Sequence, residues 1–145
     1  MKLLKEKLKN TQILFVEDDP DARLLMHILL KRYIRSIEVA ESGKEGLEKA
    51  QNMKFDLILT DINLPGISGL DMLMEIRKFS NVPAIVLSAH NEEEYFEKAK
   101  EIGILEYITK PIVVGNLENA LRKFVDIQEL KTQNQEVSVK TKEAS

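Results

Sequence analysis

The sequence predicts an α/β fold, a doubly wound five-stranded parallel sheet with helices on both faces. Three observations lead there. Five short apolar runs alternate with longer segments whose apolar residues recur at helical spacing. The third and fourth runs, "FDLILT" (55–60) and "PAIVLS" (83–88), are almost continuously apolar, as in strands covered by helices on both sides. Short connections and right-handed crossovers then favour the doubly wound sandwich.

Each element has its own local reason. The opening "MKLLKEKLKN" (1–10) is charged and lacks an apolar core, so it is no secretory signal. Leu3, Leu4 and Leu8 fall at helical spacing, but so short a piece is read as a basic, solvated lead-in. "QILFV" (12–16) is the first strand. Asp19 is a natural cap, and Pro20 suits the first turn of a helix carrying Leu24, Leu25, Ile28 and Leu29 at helical spacing. "SIEVA" (36–40) alternates as a strand, and Ser42 caps the helical "SGKEGLEKAQNM". After the third strand and a Pro65-Gly66 loop, a helix over about 68–79 buries Leu70, Leu73, Met74 and Ile76. The fourth strand leads to the helix "NEEEYFEKAKEIG", closed by Gly103. "LEYIT" (105–109) precedes Lys110-Pro111 and a last helix from about Val113 to beyond Leu130. Leu117, Leu121, Phe124 and Ile127 form its core-facing stripe, with Leu130 as the candidate continuation. The polar "KTQNQEVSVKTKEAS" (131–145) reads as a frayed helical extension or a disordered tail. One domain over 11–130 is expected between the lead-in and that tail.

Composition narrows the chemistry. With no cysteine there is no disulfide, thiolate nucleophile or cysteine-ligated metal, and two histidines, His27 and His90, do not make a histidine-rich zinc site. A net charge of −3 argues against nucleic-acid binding as the chain's main business. No apolar run approaches a membrane span, and the reducing cytoplasm suits a cysteine-free chain.

In open sheets of this kind ligands bind at the carboxyl ends of the strands. Strand one ends in Glu17 and Asp18, strand three in Asp61, strand four in Ser88, and strand five in Thr109 and Lys110. Three neighbouring carboxylates repel one another unless a cation neutralises them. All the donors are oxygens, which suits a hard octahedral ion, Mg²⁺, with Mn²⁺ as a substitute. Lys110 adds a point charge and Ser88 a rotatable donor, a combination that reads as phosphoryl chemistry. Asp61 closes the central apolar run and meets the Pro-Gly turn, so it is the carboxylate displayed to attack phosphorus.

Four stretches in order, "ILFVEDDPDAR", "FDLILTDINLPGISGLDML", "PAIVLSAH" and "YITKP", resemble the receiver domain of bacterial two-component response regulators, the CheY-like family, over roughly residues 11 to 125. The resemblance implies the flavodoxin-like strand order 2-1-3-4-5, for which the protein that gives this family its name is a standard example. It also implies roles. Asp61 resembles the phosphoacceptor, Asp18 the direct Mg²⁺ ligand and Glu17 its acidic neighbour acting through water. Asn63 matches the position lending a backbone carbonyl to the metal. Ser88 resembles the switch hydroxyl, Tyr107 the switch aromatic, and Lys110 the invariant lysine, with a cis peptide expected at Lys110-Pro111. Glu17 stands where aspartate is usual and Ser88 where threonine is usual; carboxylate and hydroxyl remain.

The implied partners are a sensor histidine kinase or phosphotransfer protein as donor, and a downstream protein target or a missing output domain as receiver of the signal. Pairing with a second copy is left open, and neither membrane nor direct nucleic-acid contact is expected. In the implied cycle the phosphoryl group draws Ser88 toward it and Tyr107 turns into the vacated space. The face of the fourth helix, fifth strand and fifth helix then alters partner binding. Asn63 and His90 are the side chains suspected of setting hydrolysis of the acyl phosphate. Tyr107 reads equally as an edge-strand aromatic packed on a helix, and His27 as structural or solvated. Two rivals are weighed. An aspartate-nucleophile phosphohydrolase commonly places a second acid two residues on, where Asn63 stands. A pseudo-receiver binding partners without phosphorylation sits poorly with a complete acidic set.

Overall fold

The computed structural model describes residues 2–89 and 93–144. In chain order the elements are α1 (Lys2–Lys7), β1 (Gln12–Val16), α2 (Pro20–Leu30), β2 (Ser36–Ala40), α3 (Gly43–Asn52) and β3 (Leu57–Asp61). They continue with α4 (Gly69–Ile76), β4 (Ala84–Ser88), α5 (Glu93–Ile102), β5 (Glu106–Thr109) and α6 (Val114–Ala144). The strands form one sheet of order β2-β1-β3-β4-β5, and every pairing is parallel. This is the expected fold and strand order.

Alternation along the strands divides the core into two layers. Ile13, Phe15, Leu57, Leu59, Ile85 and Leu87 face α1, α2 and α6, whereas Leu14, Val16, Ile58, Ala84 and Val86 face α3, α4 and α5. Because both faces are covered, β3 and β4 are buried at every residue, which is why they are apolar until their carboxyl ends, where Thr60, Asp61 and Ser88 stand.

Caps appear where residue type demands them. Asp19 accepts from the Ala22 amide at 2.9 Å, and Pro20 occupies the first turn of α2. Ser42 and Ser68 accept from the Glu45 and Asp71 amides, each at 3.1 Å. Gly103 ends α5 at φ +78°, its amide bonded to Ala99 O at 3.1 Å.

Several expectations about facing are corrected. The opening segment forms α1, and Leu4 on it and Leu8 directly after it lie in the core, with Lys7 Nζ 2.7 Å from Glu129 Oε1 on α6. Two buried leucines, each about 1.5–3 kcal/mol when removed from water, outweigh the helix's shortness once α6 offers a partner. On α2 the buried residues are Met26 and Leu30; Leu24, Leu25 and Ile28 are exposed and Leu29 is half-buried. On α4, Met72 is buried and Met74 is exposed. The rotation of each helix against the sheet chooses between two apolar arcs that periodicity alone leaves equivalent. Leu117, Leu121 and Phe124 are buried as expected, joined by Ala120 and Val125, but Ile127 is half-buried and Leu130 is exposed. There α6 has passed the sheet, and its backbone stays helical through Ala144.

Candidate functional site

The site sits where β1, β3 and β5 end. Glu17 follows β1, its amide bonded to Ala40 O of β2 at 3.0 Å, so the chain is held in register one residue beyond the strand. Asp61 is the last residue of β3, opposite Leu87 of β4. Lys110 follows β5, and its amide bonds Ser88 O at 2.6 Å, tying the ends of β4 and β5 together.

These anchors bring remote charges together. Lys110 Nζ lies 2.9 Å from Asp61 Oδ2 and 3.1 Å from Glu17 Oε1. Glu17, Asp18 and Asp61 each offer a carboxylate oxygen, all within 4.8 Å of one another. Glu17 and Asp61 are buried, whereas Asp18 is exposed at the rim. Glu17 Oε2 is buried without a hydrogen-bond partner among the described residues.

The electrostatics follow from that crowding. Burial first, and then competition from the Asp61 carboxyl beside it, push the Glu17 carboxyl from 4.5 up to about 7, with Lys110 working against both. For Lys110, burial favours the neutral amine, but the Asp61 and Glu17 carboxylates outweigh it and hold the ammonium's pKa above its usual value. One lysine therefore does not neutralise three carboxylates. An orphaned buried oxygen and two further acidic oxygens, with no softer donor in the cluster among the described residues, fit a hard divalent cation such as Mg²⁺.

The other expected residues take these places. The Asn63 amide donates to Asp61 Oδ1 at 3.4 Å, and its side chain is exposed. Ser88 is fully buried at the end of β4, paired in register with Thr109. Tyr107 is half-buried, its ring centroid 4.3 Å from that of Phe96 on α5. Lys110-Pro111 is cis, as the resemblance implied. His90 lies outside the described residues.

Three supporting residues were not legible in the sequence as parts of the site. A Cβ on Gly69 would lie 2.0 Å from Asp61 O, so only glycine lets α4 begin against the end of β3. Phe96 meets the Tyr107 ring. Arg23, on the first turns of α2, donates from Nη1 to Glu17 O at 3.0 Å and to Asp18 O at 3.3 Å. The contact runs from α2 back to the chain that leaves β1, outside the helix, so no helical spacing in the sequence signals it.

Known proteins resemble the chain in sequence and in fold. The family profile described as "Response regulator receiver domain" matches residues 13–122. The KDP operon transcriptional regulatory protein KdpE of Escherichia coli (strain K12) is 36% identical over 112 residues, covering 77% of this chain and 50% of that protein. The transcriptional regulatory protein ResD of Bacillus subtilis (strain 168) is 35% identical over 106 residues, covering 73% and 44%. The chain thus spans about half the length of these curated relatives. Among solved structures, a CheY-like response regulator receiver domain protein from Methanospirillum hungatei JF-1 superposes with a TM-score of 0.78 at 28% identity. That match covers 83% of this chain and 98% of the other.

Proposed function

The chain belongs to the response regulator receiver domain family, and from that premise we propose that it accepts a phosphoryl group on Asp61 from a sensor kinase or phosphotransfer protein and signals by reshaping a partner-binding face. The observation that carries the reading is the bridging of Asp61 and Glu17 by Lys110 beside an orphaned buried carboxylate oxygen.

Asp61 Oδ attacks phosphorus in line, while the P–N bond to the donor's phosphohistidine breaks and its electron pair remains on the imidazole. The product is an acyl phosphate on Asp61. Lys110, already 2.9 Å from the nucleophile, offsets charge on the transferred oxygens, and the Ser88 hydroxyl donates to one of them. Glu17 and Asp18, with Asp61 and the Asn63 backbone carbonyl, are the groups that would hold Mg²⁺. When bound, Mg²⁺ supplies neutralisation of the carboxylates and of the phosphoryl oxygens. The chain catalyses only its own phosphorylation and dephosphorylation.

As Ser88 turns toward the phosphoryl group, Tyr107 exchanges its packing on Phe96 for an inward rotamer. The face affected is α5–β5–α6, the fourth helix, fifth strand and fifth helix once α1 is set aside. A downstream protein, an output domain or a second copy then meets a changed surface. A kinase as donor implies a cytoplasmic setting for this exchange.

Incubation with Mg²⁺ and acetyl phosphate, followed by intact mass measurement, tests the reading. One added phosphoryl group, absent in Asp61→Asn, is expected. No addition would favour a phosphorylation-independent interaction module, and rapid turnover of small phosphoesters a phosphohydrolase.

A further inference from the structure

The cation-holding groups have a support outside the acidic cluster. Arg23 Nη1 donates to the carbonyls of both Glu17 and Asp18, at 3.0 and 3.3 Å, and Nη2 lies 3.3 Å from Glu41 Oε1 in the turn between β2 and α3. The Arg23 side chain is only 20% exposed, while Glu41 is open to solvent at 68%. That turn is itself held, since the Glu41 amide donates to Glu45 Oε2 at 2.9 Å and Glu45 pairs with Lys49 at 3.2 Å.

We propose that Arg23 is a positioning residue for divalent-cation binding, locking the peptide between Glu17 and Asp18 so that one carboxylate points inward and the other stays at the rim beside Asp61. This rests on the reading of that cluster as a cation site. The Glu17 carbonyl belongs to the peptide joining Glu17 to Asp18 and the Asp18 carbonyl to the next one, so a single nitrogen that holds both fixes the two peptide planes flanking the Asp18 Cα, and hence the direction in which the Asp18 carboxylate leaves the backbone relative to Glu17. A planar guanidinium with several donors does this; a lysine ammonium, a compact point charge, does not do it equally. Groups that orient metal ligands typically change affinity 10- to 100-fold when removed.

Charge alone predicts the opposite sign. Deleting a cation close to three carboxylates strengthens their pull on Mg²⁺, so loss of Arg23 would tighten binding if its role were only electrostatic. Because Arg23 is paired with Glu41, removing both charges together leaves the net charge unchanged and isolates the geometric part.

The experiment is calorimetric titration of the metal-free folded chain with Mg²⁺, comparing wild type, Arg23→Lys and the double variant Arg23→Met/Glu41→Gln, with unfolding midpoints measured in parallel. The double variant is expected to bind Mg²⁺ about 10-fold more weakly, and Arg23→Lys to fall between it and wild type. Affinities within twofold of wild type in both variants overturn the proposal, even if the unfolding midpoints drop, because that is the mark of a merely structural role. Tighter binding in the double variant overturns it as well. Should wild type itself bind no Mg²⁺, the cation-site reading falls and takes this inference with it. Arg23→Lys keeps the measurement available if the double variant does not fold.

Discussion

Lys110 Nζ stands 2.9 Å from Asp61 Oδ2, a contact between residues 49 positions apart that joins the ends of two non-adjacent strands. The pair is largely buried, with side-chain exposures of 27% and 9%.

Lys110→Ala removes the ammonium that touches Asp61 and separates binding from chemistry. With that charge gone, the carboxylates attract Mg²⁺ more strongly, so the Mg²⁺ dissociation constant should fall. Phosphorylation by acetyl phosphate should slow by about 100-fold, the usual order for losing a preorganised charge-stabilising donor. Calorimetry and time-resolved intact mass read the two effects separately. A variant that binds Mg²⁺ more weakly and is phosphorylated normally would contradict this account.

Glu17 makes stability depend on pH in a stated direction. Its carboxyl titrates near 7 in the folded chain, against 4.5 for the ordinary value. Between those values the folded state holds a proton that the unfolded state has released. The contribution of Glu17 to stability without metal is therefore fully present below about 4.5, declines as pH rises toward about 7, and is lost above it. Urea midpoints in EDTA should fall over this interval by an amount worth a few kcal/mol. Glu17→Gln should flatten the slope, and so should saturating Mg²⁺, which favours the ionised form.

Gly69 and Gly66 should respond differently to alanine. At Gly69 the new methyl meets backbone, 2.0 Å from Asp61 O, so α4 or the end of β3 must shift. A loss of about 3 kcal/mol, within the range of overpacking, and slower phosphorylation are expected. At Gly66 nothing lies within 4 Å, but φ is +76°. Its cost should be about 1 kcal/mol, with phosphorylation unchanged. Urea denaturation and acetyl phosphate labelling measure both.

Leu8→Ala tests whether α1 belongs to the folded unit. Leu8 is completely buried among residues that include Phe124 of α6. Its truncation should cost about 2–4 kcal/mol, whereas Leu3→Ala, at an exposed position, should change little. Equal midpoints for the two variants would mean that α1 is dispensable.

Phe96→Ala removes the ring against which Tyr107 rests, 4.3 Å away between centroids. About 1 kcal/mol of packing should be lost. The Tyr107 ring resonances should shift toward the positions they take in the phosphorylated wild type. Unchanged resonances would mean that Phe96 does not hold the resting rotamer.

What the sequence determined by itself was the path of the chain and the placing of its chemistry. Unbroken apolar runs such as Leu57–Leu59 specify strands buried on both faces, and strand–helix alternation then leaves Glu17, Asp18, Asp61, Ser88 and Lys110 at the carboxyl ends of the strands. Capping by Asp19 and Ser42 was equally legible, because a cap is a contact between residues three apart. Tertiary structure alone decided which arc of each helix turned inward. Periodicity defines an apolar stripe only up to rotation, so Met72 rather than Met74 is buried, and Leu24, Leu25 and Ile28 lie open. It also decided that α1 packs on α6, that Arg23 reaches two carbonyls, and that Glu17 is driven toward protonation. Each depends on surroundings that separate stretches of chain build together, as the Glu17 carboxyl shows, whose protonation answers to burial and to Asp61 and Lys110.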